Sequence, residues 1–387
     1  MADHMPEPFG GSLKVSPGLP RPFNLTSTRP DWADRLTHGK PLASVPDLLA
    51  SLFNLCGHAH RLCATLAIQA ARGQAVPLDA AARRRLQTET RQEHLRRICL
   101  DWPLQLAASA EARASAQAAA HQALRACPVA SGLSAAALED FSDATDWLGQ
   151  HLLGGPASEW IGHWEREPQD WMRHWCASTP GWLPELLQNA RMAAATPLPG
   201  LRALRVHASE QDLRELADQL QRNPSFSRQP VWHQQCAETG PWTRLNQPDP
   251  ERFDTPWLCL GTRLAELVRL CLPDEPRRSG LQWLQAGSVC TGKNEGLAWV
   301  EMARGLLIHV IQIDGHGTEA HVQACRVLAP TEWNFHPEGT VAQVLEALPS
   351  DITPAVEQRI RALMTAFDPC VRFDLPQHHF LQENLYA

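Results

Sequence analysis

From residue 44 onward, apolar positions recur at helical spacing against polar faces. Ser44 stands where a cap belongs, Pro46 and Asp47 suit a first turn, and Gly73 can close the last one. One helix is therefore predicted over 44–73, with LLASLFNLC and LCATLAIQAA as its apolar face. Residues 80–100 read as a charged amphipathic helix, and 104–126 are so rich in alanine that propensity alone favours a packing helix. Helical spacing continues over 134–152, 157–177, 182–193, 208–221 and 258–272, and returns at 339–348 and 353–366. The character changes near residue 285. Segments 298–314 and 320–330 are β-rich, are separated by Asp314-Gly315-His316-Gly317, and predict two antiparallel strands. Residues 1–43, rich in proline, glycine and polar side chains, read as an irregular arm. The fold expected is mainly α with a small antiparallel β-sheet: an arm over 1–43, then a single domain over 44–387.

Composition narrows the function. With 387 residues, 44% of them hydrophobic, the chain can bury a sizeable core. A net charge of −7 without a basic stripe argues against a nucleic-acid partner. No uncharged apolar run reaches the roughly 18 residues that a membrane helix needs, and the N-terminus lacks the cationic start and apolar run of a signal peptide. The eleven cysteines are scattered, without the dense spacing of a disulfide scaffold, so reduced thiols and a cytoplasmic location are expected. Several of the fourteen tryptophans fall within 160–182 and suit a core or a partner surface.

Two cysteine-bearing stations carry the candidate chemistry. The first is Cys56-Gly57-His58-Ala59-His60-Arg61-Leu62-Cys63; on a helix, Cys56, His60 and Cys63 would share one face. The second runs from Phe367 through Asp368-Pro369-Cys370 to His378-His379. Thiolate and imidazole are natural ligands for soft or borderline metals. A cysteine taken alone is equally a small buried hydrophobe. No tight CxxC pair decides between the two on spacing.

Together the stations resemble the two ends of the metal site of nickel–iron hydrogenase large subunits, C-G-x-C-x-x-x-H and D-P-C-x-x-C-x-x-H. Cys56-Gly57 matches the opening of the first and Asp368-Pro369-Cys370 that of the second. Three segments between them follow in family order. Glu238-Thr239-Gly240-Pro241-Trp242-Thr243-Arg244 resembles G-P-L-A-R, and Glu301-Met302-Ala303-Arg304-Gly305 resembles E-A-P-R-G. Pro330-Thr331-Glu332-Trp333-Asn334-Phe335-His336-Pro337 resembles P-T-x-W-N-x-x-P.

The departures point to one branch of that family. Its second cysteines, which bridge nickel to iron, correspond here to Ala59 and Phe373, and its motif histidines to Cys63 and Pro376. The segment bringing a proton-transfer glutamate ahead of the first motif is not found in residues 1–54. This pattern resembles the accessory paralogue of the HupK/HoxV type. The resemblance implies a degenerate large-subunit-like fold and a hydrogenase-maturation scaffold, not an enzyme. The scaffold would bind, transiently, iron carrying cyanide and carbon monoxide ligands; it would receive this unit from the maturation proteins that build or carry it and pass it to a hydrogenase large subunit. Nickel is not expected. Cys56 and Cys370 would be the metal ligands and Arg304 would face the cyanides. Asp368, held by the X-Pro step before Cys370, would shape the approach. His58, His60, Cys63, His378 and His379 are possible secondary ligands. A divergent catalytic large subunit and a metal-free interaction module are the alternatives. With no clear extension after Pro376, the chain is expected to keep Tyr386 and Ala387.

Overall fold

The computed structural model describes residues 10–128, 142–223, 225–272, 283–315 and 317–376. The N-terminal segment holds β1 (Leu13–Val15), β2 (Leu25–Ser27) and α1 (Trp32–Thr37), followed by α2 (Val45–Leu52), α3 (Gly57–Ala71) and α4 (Ala80–Arg96). A widened helical turn over Arg97–Asp101 leads into α5 (Trp102–Leu106) and α6 (Ala110–Arg125). Then come α7 (Ser142–Leu148), α8 (Ala157–Arg166), α9 (Pro168–Ser178), α10 (Trp182–Ala190), α11 (Glu210–Arg222) and α12 (Pro256–Cys271). Strands β3 (Ala286–Gly292), β4 (Glu295–Met302), β5 (Gly305–Asp314) and β6 (His321–Leu328) precede α13 (Pro330–Asn334), α14 (Thr340–Glu346), α15 (Pro354–Phe367) and β7 (Phe373–Asp374).

The four strands β3-β4-β5-β6 form one antiparallel sheet in sequence order. Leu297, Leu306, Ile308 and Val310 join Leu213, Leu216 and Leu220 of α11 on one face. Ala298, Val300, Leu307 and Ile311 join Leu62, Cys63 and Leu66 of α3 on the other. Burial on both faces explains why the strands read as nearly continuous apolar runs instead of alternating ones. Helices α4, α7, α8, α9 and α15 pack against α12, every residue of which is buried. Trp164 and Trp175 fill that core, so this part of the tryptophan-rich stretch is interior.

Several predicted boundaries shift for local reasons. The helix expected over 44–73 breaks at Phe53 (φ −110°, ψ 52°), and a single tight turn over Asn54–Cys56 separates α2 from α3. Ser44 gives α2 no cap; its hydroxyl bonds Pro41 O instead. The helix expected over 157–177 divides at Pro168, which opens α9 where a missing N–H costs nothing. The alanine-rich helix begins later than expected, after Ser109 accepts from Ala112 N at 3.1 Å. The strand expected over 298–314 is a hairpin, β4 and β5, and the sheet has four strands where two were expected. The arm expected to be irregular is, from residue 10, ordered. β1 pairs antiparallel with β2 and parallel with β7, closing a second, three-stranded sheet between the two ends of the chain. None of the eleven cysteines forms a disulfide.

Candidate metal-binding pocket

Cys56 directly precedes α3. The first N–H groups of that helix have no partner within it, and Glu89 of α4 accepts from two of them, His58 N at 2.7 Å and Ala59 N at 2.9 Å. Cys370 is placed from the other end. Helix α15 stops at Phe367, and Asp368 turns the chain in the left-handed region (φ 51°) instead of the extended one that a following proline favours. Thr331 then holds the cysteine at two points: its hydroxyl donates to Cys370 Sγ at 3.1 Å and accepts from Cys370 N at 3.2 Å. Arg304 occupies the two-residue loop between β4 and β5, where Met302 pairs with Gly305. Gly305 has φ 136°, and a Cβ there would sit 2.6 Å from Thr239 Oγ1, so the loop requires glycine. Cys56, Cys370, Arg304, His60 and Arg29 line one pocket of about 250 Å³.

A buried network of charges surrounds it. Arg304, only 2% exposed, pairs with Glu93 and lies 3.5 Å from Asp368, while its Nη1 is buried without a partner among the described residues. The Asp368 carboxylate also meets Arg97 and Arg263, each at 2.9 Å. Burial alone would raise its pKa, but Arg304, Arg263 and Arg97 outweigh burial and hold it at about 2. The network continues through Arg263 to His94 (3.2 Å) and from His94 to Glu266 (3.0 Å). Glu266 takes two bonds from Arg244, whose Nη2 also donates to Met302 O at 2.6 Å. Burial pushes the Cys56 thiol up to about 12 despite the pull of Arg304, so at neutral pH it keeps its proton.

The three middle segments are the framework of this pocket. The Asn334 amide clamps Thr239 from both sides, accepting from its N–H and donating to its carbonyl, each at 2.8 Å. Thr239 Oγ1 in turn accepts from Leu306 N at 2.8 Å. The loop ending at Arg244, the hairpin carrying Arg304 and the helix carrying Thr331 are thereby locked together.

The remaining predicted site residues separate. The shared face expected for Cys56, His60 and Cys63 does not form, because Cys56 lies outside the helix that carries the other two. His60 is buried at the pocket, stacked on Phe53 (4.1 Å) with Nδ1 3.0 Å from His309 Nε2; burial and then His309 push its pKa well down, so it is neutral. Cys63 faces the sheet, donating to Ala298 O at 3.3 Å, and is not among the pocket-lining residues. The ring of His58 does not line the pocket either; its backbone serves Glu89. His378 and His379 lie outside the described residues. Glu89, Glu93, Arg97, Arg263 and Arg29 escaped the sequence reading. Each is paired across a long stretch of chain, and nothing beside them in sequence marks them. Thr331 stood within a matched segment but carried no assigned role.

No protein-family model matches the chain. It is 37% identical to hydrogenase expression/formation protein HoxV from Cupriavidus necator, over 97% of this chain and 98% of that one. It is 31% identical to hydrogenase expression/formation protein HupK from Bradyrhizobium diazoefficiens, over 88% of each. Among solved structures it is similar to the nickel–iron–selenium hydrogenase from D. vulgaris Hildenborough in its as-isolated oxidised state. That likeness has a TM-score of 0.56 at 12% identity, over 89% of this chain and 92% of that one. A NAD+-reducing nickel–iron hydrogenase in the H2-reduced state gives a TM-score of 0.52 at 16% identity, over 89% and 91%. At such identities the likeness is one of fold.

Proposed function

The chain belongs to the HoxV/HupK family of hydrogenase expression/formation proteins, and from that premise we propose that it is a non-catalytic scaffold for the iron–cyanide–carbonyl unit of a hydrogenase under assembly. Cys56 and Cys370 chelate the iron through their sulfurs, and Arg304 bonds a cyanide nitrogen. The unit arrives from the maturation proteins that make or carry it and leaves for a hydrogenase large subunit. Soft thiolates suit a low-spin iron that already carries strong-field ligands, and chelation requires both thiols to give up their protons.

The observation carrying this reading is that Cys56, Cys370 and Arg304 line one pocket, and that Nη1 of Arg304 is buried without a partner among the described residues. A buried guanidinium N–H without an acceptor is costly unless something arrives to accept it, and a cyanide nitrogen is such an acceptor. The pocket's volume of about 250 Å³ is many times the roughly 10–15 Å³ that one water needs on the same measure, room for an iron with three diatomic ligands. Ala59 and Phe373, at the positions corresponding to the family's second cysteines, carry no donor atom, and neither lines the pocket. The pocket's thiols therefore suit one metal.

Infrared spectroscopy of the protein, purified without oxygen from cells that carry the maturation machinery, tests the reading. Cyanide and carbonyl stretches are expected, with about one iron per chain and no hydrogen turnover. Protein without those bands would favour a metal-free interaction module; nickel near one equivalent with turnover would favour a divergent enzyme.

A further inference from the structure

Arg29 reaches the pocket on the segment whose sequence looked irregular. It lies two residues beyond β2, and the β1–β2 hairpin sets its position. Leu13 pairs with Ser27 on one side and with Phe373 on the other, and Leu13 N donates to Arg372 O at 3.0 Å. The hairpin is thus tied to the residues immediately following Cys370. Ser12 N donates to Thr28 Oγ1 at 2.9 Å, and Thr28 N to Ser12 O at 3.0 Å, fixing the residue before Arg29. Gly11 has φ 72°, and a Cβ there would lie 2.7 Å from both Cα and N of Arg29. The turn therefore admits only glycine while Arg29 stays where it is.

The side chain is as constrained as the backbone. Arg29 and its ion-pair partner Glu332 are 13% and 16% exposed, and Arg29 lines the same pocket as both thiols. Among the described residues, Glu332 engages Nη1 only, and its own Oε2 has no partner. A guanidinium carries five N–H donors in a planar fork, so donors beyond the Glu332 bond remain for something in the pocket. Two thiolates and anionic ligands enclosed together need compensating positive charge. Arg304 already answers to Glu93 and Asp368. The second cation available at the pocket wall is Arg29.

We propose that Arg29 is a second guanidinium facing the cargo, donating to an anionic diatomic ligand of the bound iron, so that the N-terminal hairpin is part of the binding site. This rests on the scaffold reading above. The test compares three proteins made with the maturation machinery and purified without oxygen: wild type, Arg29→Lys, and Arg29→Gln combined with Glu332→Gln, which leaves no unpaired carboxylate behind. Each is assayed for thermal unfolding, iron per chain after dialysis, and the positions of the cyanide bands. One charge-assisted hydrogen bond is worth a factor of roughly ten or more in retention. The double variant should therefore melt with the wild type, lose about tenfold in retained iron and show shifted cyanide bands. Arg29→Lys, keeping the charge but not the fork, should shift the bands with a smaller loss. A folded double variant with wild-type loading and unshifted cyanide bands would overturn the role of Arg29 alone. If the double variant does not fold, unshifted bands in Arg29→Lys overturn it. Absence of cyanide and carbonyl bands in the wild type would overturn the scaffold reading and this inference with it.

Discussion

The two thiols of the pocket are held by opposite means. Beside Cys56 the supporting acid is Glu89, which accepts only neutral backbone N–H groups at the start of α3. Beside Cys370 it is Asp368, which faces three guanidinium groups. The two carboxyls are accordingly displaced in opposite directions. Burial carries Glu89 up to about 7 against the pull of His58 N and Ala59 N, whereas Asp368 is held at about 2. Peptide dipoles steady the turn that carries the first cysteine, and full charges on Asp368 and its arginines steady the turn that leads to the second. A network of full charges in the interior fails badly when one member is removed, so the Cys370 end should be the more fragile.

The most severe break of this contrast is Asp368→Asn. It keeps the side-chain size but leaves Arg97, Arg263 and Arg304 around a neutral amide, and removing one partner of a buried ion pair costs about 3–5 kcal/mol. Denaturant unfolding of the purified protein should show a loss of that order, with failed iron loading. A loss below about 1 kcal/mol would mean that water already screens the network. Glu89→Gln, its counterpart at the other station, should cost less, because the amide oxygen can still accept one of the two N–H groups and no full charge loses its partner.

Asn334→Ala is the next largest. It removes the clamp on Thr239 and leaves a buried N–H and carbonyl unpaired, which costs about 1–3 kcal/mol each way the bond is lost. Because Thr239 also supports Leu306 N beside Arg304, iron loading should fall together with stability. Stability lost at unchanged loading would separate the framework from the pocket.

This difference between the stations was only partly legible in the sequence. The ordered segments around Cys56, Arg244, Arg304, Asn334 and Cys370 were readable because each is local and contiguous. The break at Phe53 was not: apolar residues continue on both sides of it, so periodicity ran through a turn that tertiary contacts impose. The N-terminal hairpin was invisible for a different reason. Strands of three residues such as Leu13–Val15 hold too few positions to show alternation, and their pairing with Phe373 spans almost the whole chain. The ion pairs of Asp368 with Arg97 and Arg263 likewise join residues that only the fold brings together.

A subtler measurement is stability against pH. Glu89, raised in the folded protein from 4.5 to about 7, binds a proton there that the unfolded chain has released. Its contribution to stability therefore declines as pH rises from about 4.5 to 7. Asp368, lowered from 3.8 to about 2, works in the other sense. Its contribution is present above pH 3.8 and is lost as pH falls towards 2. Glu89→Gln should remove this one contribution, so that the difference in stability between wild type and variant falls from pH 4.5 to 7 while the acid limb stays in place. The difference between the two proteins carries the signal, because burial also carries Glu238 up to about 7, while His60, His94 and His309, pushed down by burial, add stability as pH rises over the same range. A profile unchanged by Glu89→Gln would show that the acid is solvated and that the first station is not set by burial.

The smallest effect expected is that of Cys63→Ala. Cys63 sits one helical turn beyond His60 and is fully buried, so it could be mistaken for a third thiol of the site. Its sulfur, however, points between α3 and the sheet, bonded to the Ala298 carbonyl, where metal would have to displace packed strands to reach it. Replacing it opens a void of one sulfur atom and frees a carbonyl already shared within the sheet, a loss of about 1 kcal/mol. Iron per chain and the cyanide and carbonyl bands should stay at wild-type values, while Cys56→Ala and Cys370→Ala each abolish them, since one thiolate no longer chelates. Should Cys63→Ala also lose the iron, Cys63 would have to be a ligand, and α3 would have to rotate against the sheet on loading.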